Sequence, residues 1–331
     1  MRLRVRFTAR DLGRVRLATA ADPLWETVLS VRRLRDTKGP GVYAAWRRSV
    51  SSVEAVPESL RALIPRQGYF PDFLNPAESE RGWRPALEAV RATPAARLRV
   101  ELARLPAGSR GPGWLRGLAA GEPAALRRLT DDLDRYHRLA VGVPSVWPAV
   151  SALVDAELAA RARQLARGGA EALLAGLRPV LRWNPPVLEA AYPVDREVRL
   201  GGRGLLLVPS FFCWRTPVMP ADDGLPPVLV YPVAHEELPP AEPAALGRLL
   251  GPTRARVLAW VANGGATTGE LASRLGISPG SASQHTKVLR ESGLVLSLRR
   301  GNGVLHTVTP AGRALLPAGR GAPGAGGARP E

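Results

Sequence analysis

Ten positions near the carboxyl end of this 331-residue sequence carry small polar or basic residues at spacings suited to a nucleic-acid duplex: Ser278, Gly280, Ser281, Ser283, Gln284, Lys287, Arg290, Arg299, Arg300 and Asn302. Ser278 before Pro279 reads as a helix N-cap, because proline at the first helical position gives up an amide that would have no partner there. From Pro279 to about Ser292, at about 100° per residue, Ala282, His285, Thr286 and Leu289 share one side, with Val288 at its edge. Gly280, Ser283, Gln284 and Lys287 share the other. The second side fits a groove of DNA. Ser281, Ser283 and Gln284 are placed to meet base edges, since glutamine pairs bidentately with adenine and serine is permissive, and Gly280 lets the backbone come close. Lys287 and Arg290 suit phosphates, which fix register without specifying sequence. Arg299 and Arg300 precede Gly301-Asn302-Gly303 at a hairpin tip, where guanidinium groups suit backbone or minor-groove contact.

Those side chains need a scaffold, and the flanking sequence supplies its signals. Thr253 to Val261 reads as a first helix with Val257, Leu258 and Val261 on one face. Thr267-Thr268-Gly269-Glu270 fits a capping box, so a second helix should begin at Thr268 and continue through Leu271, Ala272 and Leu275. Gly276 can take the left-handed conformation that ends it, with Ile277 buried in the turn. Val295 to Leu298 and Val304 to Val308 read as the two strands of the hairpin. Between Arg248 and Arg313 nine basic residues face only two acidic ones, Glu270 and Glu291, for a net charge of +7.

The run from Glu270 to Val295, Glu-Leu-Ala-Ser-Arg-Leu-Gly-Ile-Ser-Pro-Gly-Ser-Ala-Ser-Gln-His-Thr-Lys-Val-Leu-Arg-Glu-Ser-Gly-Leu-Val, resembles the ArsR/SmtB superfamily of winged-helix repressors. The likeness continues through Arg299 to Val308, similar to that family's wing, and on to Thr309-Pro-Ala-Gly-Arg-Ala-Leu-Leu. It implies a sequence-specific regulator of transcription, of repressor type, on a double-stranded operator. Thr286 departs from the family pattern, which has leucine at that place. Trp183-Asn-Pro-Pro-Val-Leu and Pro209-Ser-Phe-Phe-Cys-Trp-Arg-Thr-Pro resemble the N-terminal extension of some actinobacterial ArsR-like regulators, which implies regulation and names no ligand.

Composition sets the frame for the rest. The chain has 45% hydrophobic and 23% charged residues, ordinary globular values, and its length predicts two domains. The formal charge of +17 points to an anionic partner, but nearly all of it is arginine, with Lys38 and Lys287 the only lysines. Placement therefore carries more weight than the total. The expected fold is mainly α with small β elements: a larger N-terminal α+β domain over 1–237, a Pro-rich linker over 238–243, a winged helix-turn-helix over 244–316, and a disordered tail over 317–331. In the N-terminal domain, alternation in Leu3, Val5 and Phe7 predicts a strand. Helices are predicted over Asp22–Leu34, Pro57–Leu63, Pro85–Arg104, Pro123–Leu139 and Trp147–Leu177, the last with a break at Gly168-Gly169. Val194 to Leu200 and Gly204 to Val208 look like a hairpin about Gly201-Gly202, and Val228 to Val233 like a further strand.

Other chemistries find little support. No Gly-x-Ser-x-Gly or phosphate loop precedes the linker, so no enzyme is expected. No cofactor is expected either. Family members often sense metals through cysteines on the first helix of the motif, yet Gly269 to Leu275 has no thiol. Cys213, the single cysteine, reads as a small buried residue in the run Phe211-Phe-Cys-Trp, and His235, Glu236 and Glu237 as a solvated loop rather than its metal partners. His285 and His306 read as packed residues. No signal segment or membrane span is present, which places the chain in the cytoplasm. A homodimer is expected, with the N-terminal domain setting the separation of two reading helices by dimerisation or by a small-molecule effector in an aromatic-walled cavity. The alternative is a winged-helix module for protein contact without specific DNA binding.

Overall fold

Leu3 and Val5 point inward from the opening strand while Arg2 and Arg6 stay outside, the arrangement their alternation predicts. The computed structural model describes residues 1–36, 41–51, 56–106, 113–234, 243–300, 303–309, 311–312 and 315–316. It divides into two compact units, Met1–Glu236 and Glu237–Glu331. The architecture is mainly helical with small sheets, a larger N-terminal α/β region preceding a winged helix-turn-helix. Residues 238–242, assigned to the linker, and 317–331, assigned to the tail, lie outside the described residues, as do His235 to Glu237.

The first unit begins with β1 (Arg2–Arg6), α1 (Ala9–Leu12) and β2 (Val15–Leu17). A helical body follows: α2 (Pro23–Arg35), α3 (Ala44–Ser51), α4 (Glu58–Leu63), α5 (Trp83–Arg91), α6 (Ala95–Ala103), α7 (Trp114–Ala120), α8 (Pro123–Ala140) and α9 (Trp147–Ala175). Five strands close it: β3 (Leu181–Asn184), β4 (Val187–Ala191), β5 (Arg196–Arg199), β6 (Leu205–Ser210) and β7 (Val228–Pro232). The order is β3-β4-β1-β5 in one sheet and β2-β6-β7 in another, the latter entirely parallel.

Two expectations are corrected here. The helix expected over Pro85–Arg104 is two helices, α5 and α6, because Pro94 lacks an amide and pushes Thr93 out of helical geometry. Helix α7 carried too short a periodic signal to be anticipated. The hairpin expected about Gly201-Gly202 does not form: β5 pairs in parallel with β1, and β6 lies between β2 and β7 in the other sheet. Every residue of β6 is buried. An unbroken apolar run of this kind needs both faces covered, as a central parallel strand provides and a hairpin arm does not. Gly202 and Gly204 turn the chain through positive φ of 85° and 77°. Asp11 of α1 accepts from the Gly204 amide at 2.9 Å and Arg14, just beyond α1, donates to the Gly202 carbonyl at 2.9 Å, so α1 and the turn after it grip the crossing between sheets. Helix α9 is broken as expected at Gly168 and Gly169, which have non-helical φ and ψ.

The helical body is held by a large apolar cluster that includes Tyr43, Trp46, Phe73 and Phe212. The Trp46 and Phe212 rings lie 4.6 Å apart, and Tyr43 donates to the Phe211 carbonyl at 2.6 Å. Cys213 is buried here, and burial raises its thiol well above the ordinary range, which suppresses thiolate chemistry. Glu26 of α2 is fully buried in the same body. Its carboxylate accepts from Ser210 Oγ at 3.0 Å and from the amides of Phe211 at 2.8 Å and Phe212 at 3.0 Å. Burial pushes its pKa up to about 7, the three donors opposing and the charge of Asp22 adding to the rise.

Candidate nucleic-acid interface

The second unit opens with α10 (Pro243–Leu250), which the sequence reading missed, and α11 (Pro252–Val261). Then come the two-residue strand β8 (Ala266–Thr267), α12 (Thr268–Leu275), α13 (Pro279–Glu291), β9 (Val295–Arg300) and β10 (Gly303–Val308). Val257, Leu258 and Val261 from α11, Leu271 and Leu275 from α12, and Ala282 and Leu289 from α13 form one buried cluster. Three short helices thus share a core, and the strands order as β8-β10-β9 against it.

The local signals act as anticipated. Thr267 Oγ1 accepts from the Glu270 amide at 3.3 Å while the Glu270 carboxylate accepts from the Thr267 amide at 2.7 Å, a reciprocal capping box that starts α12. The Thr267 amide bond holds the exposed Glu270 below the usual carboxylate range. Gly276 ends α12 with φ of 65°, and the Ile277 amide donates back to Ala272 at 3.0 Å. Ile277 is half-buried rather than buried, packed on the edge of the cluster. Ser278 then caps α13 by accepting from the Ser281 amide at 3.1 Å.

Along α13, Ala282, Thr286 and Leu289 are buried, His285 and Val288 are half-buried, and Gly280, Ser283, Gln284, Lys287 and Arg290 are exposed. Thr286, the departure from the family pattern, is accommodated by bonding within its own helix, donating to the carbonyls of Ala282 at 2.9 Å and Ser283 at 3.0 Å. Ser281 differs from its neighbours in turning partly inward, with its hydroxyl 3.2 Å from His285 Nε2. Lys287 sits 4.0 Å from Glu291, both well exposed, a weak pair that leaves the ammonium available to an anion. No carboxylate occupies the first three turns of this face, since Glu291 is the last residue of the helix.

The hairpin lies beside this helix. Arg299 is exposed on β9 opposite Val304, and the backbone of Arg300 pairs with Gly303. The Arg300 side chain and Asn302 lie outside the described residues. His306 of β10 is packed, as the sequence reading expected, at 5% exposure, and the structure adds its partners: Nε2 lies 3.0 Å from Thr268 Oγ1 and Nδ1 2.9 Å from Ser297 Oγ. One imidazole ties both hairpin strands to the start of α12. Burial, with the nearby charge of Arg290, lowers its pKa and keeps it neutral. The sequence signal available was alternation, which put His306 on the covered face of the strand. Strand β8, two residues long, gave none.

A helix-turn-helix with a β hairpin against it defines the class of this unit. Residues 249–297 match a family model described as a helix-turn-helix domain. Searches of curated proteins and of solved structures gave no match for the chain. Among the described residues, no helix is long and apolar enough to cross a membrane, and no group of three or more His, Cys, Asp or Glu side chains is placed to hold a metal ion.

Proposed function

We propose that the chain is a transcription regulator of the ArsR type, a repressor that binds a specific double-stranded operator as a homodimer. The observation that carries this reading is the outer face of α13. Gly280, Ser283 and Gln284 project a small polar edge without an acidic neighbour, and Lys287 follows one turn later. In helix-turn-helix proteins the N-terminal part of the second helix meets base edges. Gln284 and Ser283 read the bases, with the Ser281 hydroxyl at the same N-terminal end of the helix. Ser278, Lys287 and Arg290 face phosphates, and Arg299, with Arg300 and Asn302 near the tip, tracks the backbone or minor groove. His306 ties that hairpin to the start of α12, the helix that precedes the reading helix.

In a dimer two such helices enter successive major grooves, so half-sites lie about one helical turn, ~34 Å, apart. The first unit supplies dimerisation or effector sensing, shifting affinity by favouring one arrangement of the two reading helices. Selection of bound duplexes from a random pool tests the proposal: a pseudo-palindromic motif supports it. Association with every duplex alike, together with recovery of a protein partner, favours the protein-contact module instead.

A further inference from the structure

A cavity of about 320 Å³ lies within the first unit, at the small end of the range for small-molecule sites, roughly 300–1,000 Å³. Its walls come from three separated segments: Gly68 to Asp72, Tyr192 to Arg196, and Thr216 to Ala221, with Trp25 and Arg32 from α2. Apolar surface dominates, supplied by Trp25, Phe70, Val218 and Met219 among others. The charged groups that face it are Arg32, Asp72 and Arg196. Two of the three are already committed. Asp72 accepts from the amides of Ala221 and Asp222 at 3.0 Å, and Arg196 pairs with Asp223 at 2.8 Å.

Arg32 is different. Its Cζ stands 4.6 Å over the Phe70 ring, its Nη2 donates to the Gly68 carbonyl, and its Nε is buried without a partner. Among the described residues no carboxylate pairs with it. Burial, with the charge of Arg33, lowers its pKa to about 10, so it remains cationic at neutral pH. A half-buried guanidinium held flat by an aromatic ring and lacking a counter-ion is arranged to receive one, because a planar fork of donors matches a carboxylate.

We infer that this cavity binds a small monocarboxylate with an aromatic or alkyl body, its carboxylate on Arg32 and its apolar part against Trp25, Phe70 and Met219. A monoanion is specified because the remaining charges cancel: Arg196 is neutralised by Asp223, and Asp72 would oppose a second negative charge. The apolar walls specify the body. This deepens the effector role proposed for the first unit, but stands apart from the DNA contacts.

The test is calorimetric titration of the full-length chain with phenylacetate, hydrocinnamate and octanoate, using phenylacetamide and phenethylamine as neutral and cationic controls. At least one acid is expected to bind roughly tenfold or more tightly than phenylacetamide, the worth of one charge-assisted contact, with phenethylamine weakest. Arg32→Gln should erase the preference for acid over amide. Val194→Trp, at a position on the cavity wall that is 55% exposed and so not needed for folding, should weaken acid and amide together. Equal binding of acid and amide by the unmodified protein, or binding of none of the three acids, overturns the inference, as does a preference that survives Arg32→Gln. No DNA is present in these titrations, so their failure leaves the operator reading untouched and loss of operator binding leaves theirs.

Discussion

Replacing Glu26 by glutamine should flatten the pH dependence of the first unit's stability. The folded carboxyl has a pKa raised from the ordinary 4.5 to about 7, so the folded state holds a proton that the unfolded chain releases. Below the unfolded value both states are protonated and the group costs nothing. As pH rises through the window from 4.5 to about 7, its contribution is lost, and above that window the full penalty applies. At about 1.36 kcal/mol per pKa unit, the rise corresponds to about 3 kcal/mol. Glutamine is a neutral isostere of the protonated acid and has no such window. Urea unfolding from about pH 4 to about pH 8 is the assay, followed by tryptophan fluorescence, which reports the first unit because seven of the eight tryptophans precede residue 237. Relative to Glu26→Gln, the unmodified protein should lose a midpoint of roughly 1 M urea across that range, at ~3 kcal/mol/M for a unit of this size. Parallel curves would refute the reasoning. They would mean that the donors from Ser210, Phe211 and Phe212 outweigh burial and hold Glu26 at an ordinary carboxylate value.

Three further outcomes concern the second unit. Lys287→Ala should leave the preferred sequence unchanged and flatten the dependence of log affinity on log salt by about 0.9 per protomer, measured by fluorescence anisotropy across a salt series. Gln284→Ala should reduce specific affinity by about 1–3 kcal/mol, roughly 5- to 150-fold, with binding to unrelated duplexes unchanged, so the ratio of the two is the readout. His306→Ala removes contacts to both Thr268 and Ser297, and should destabilise the second unit by about 2 kcal/mol, with amide exchange rising first in the hairpin.

The second unit was legible because its signals are local. A capping box spans Thr267 to Glu270, a left-handed glycine follows Leu275, and Ser278-Pro279 restart the chain; each is decided by neighbours within four residues. The face of α13 followed from helical period alone. What stayed hidden depends on distant partners. Strand β8 exists only because β10 pairs with it, and the partners of His306 come from α12 and β9. In the first unit the same limit produced the hairpin error. Two extended runs about a glycine turn are consistent with pairing to each other, but β1 and β2, nearly 200 residues earlier, capture them into separate sheets. Arg32 carried no sequence mark at all, since a lone arginine among arginines becomes distinctive only when its partners are known.

The central claim is that the small polar edge of α13 reads a specific duplex. Selection of bound oligonucleotides from a random pool by the full-length protein, sequenced over successive rounds, tests it most directly. The account predicts one dominant pseudo-palindromic motif with half-sites about one helical turn apart, its enrichment weakened when Gln284 is replaced by alanine. A pool that stays random, or a motif that the Gln284→Ala protein enriches equally well, would contradict it.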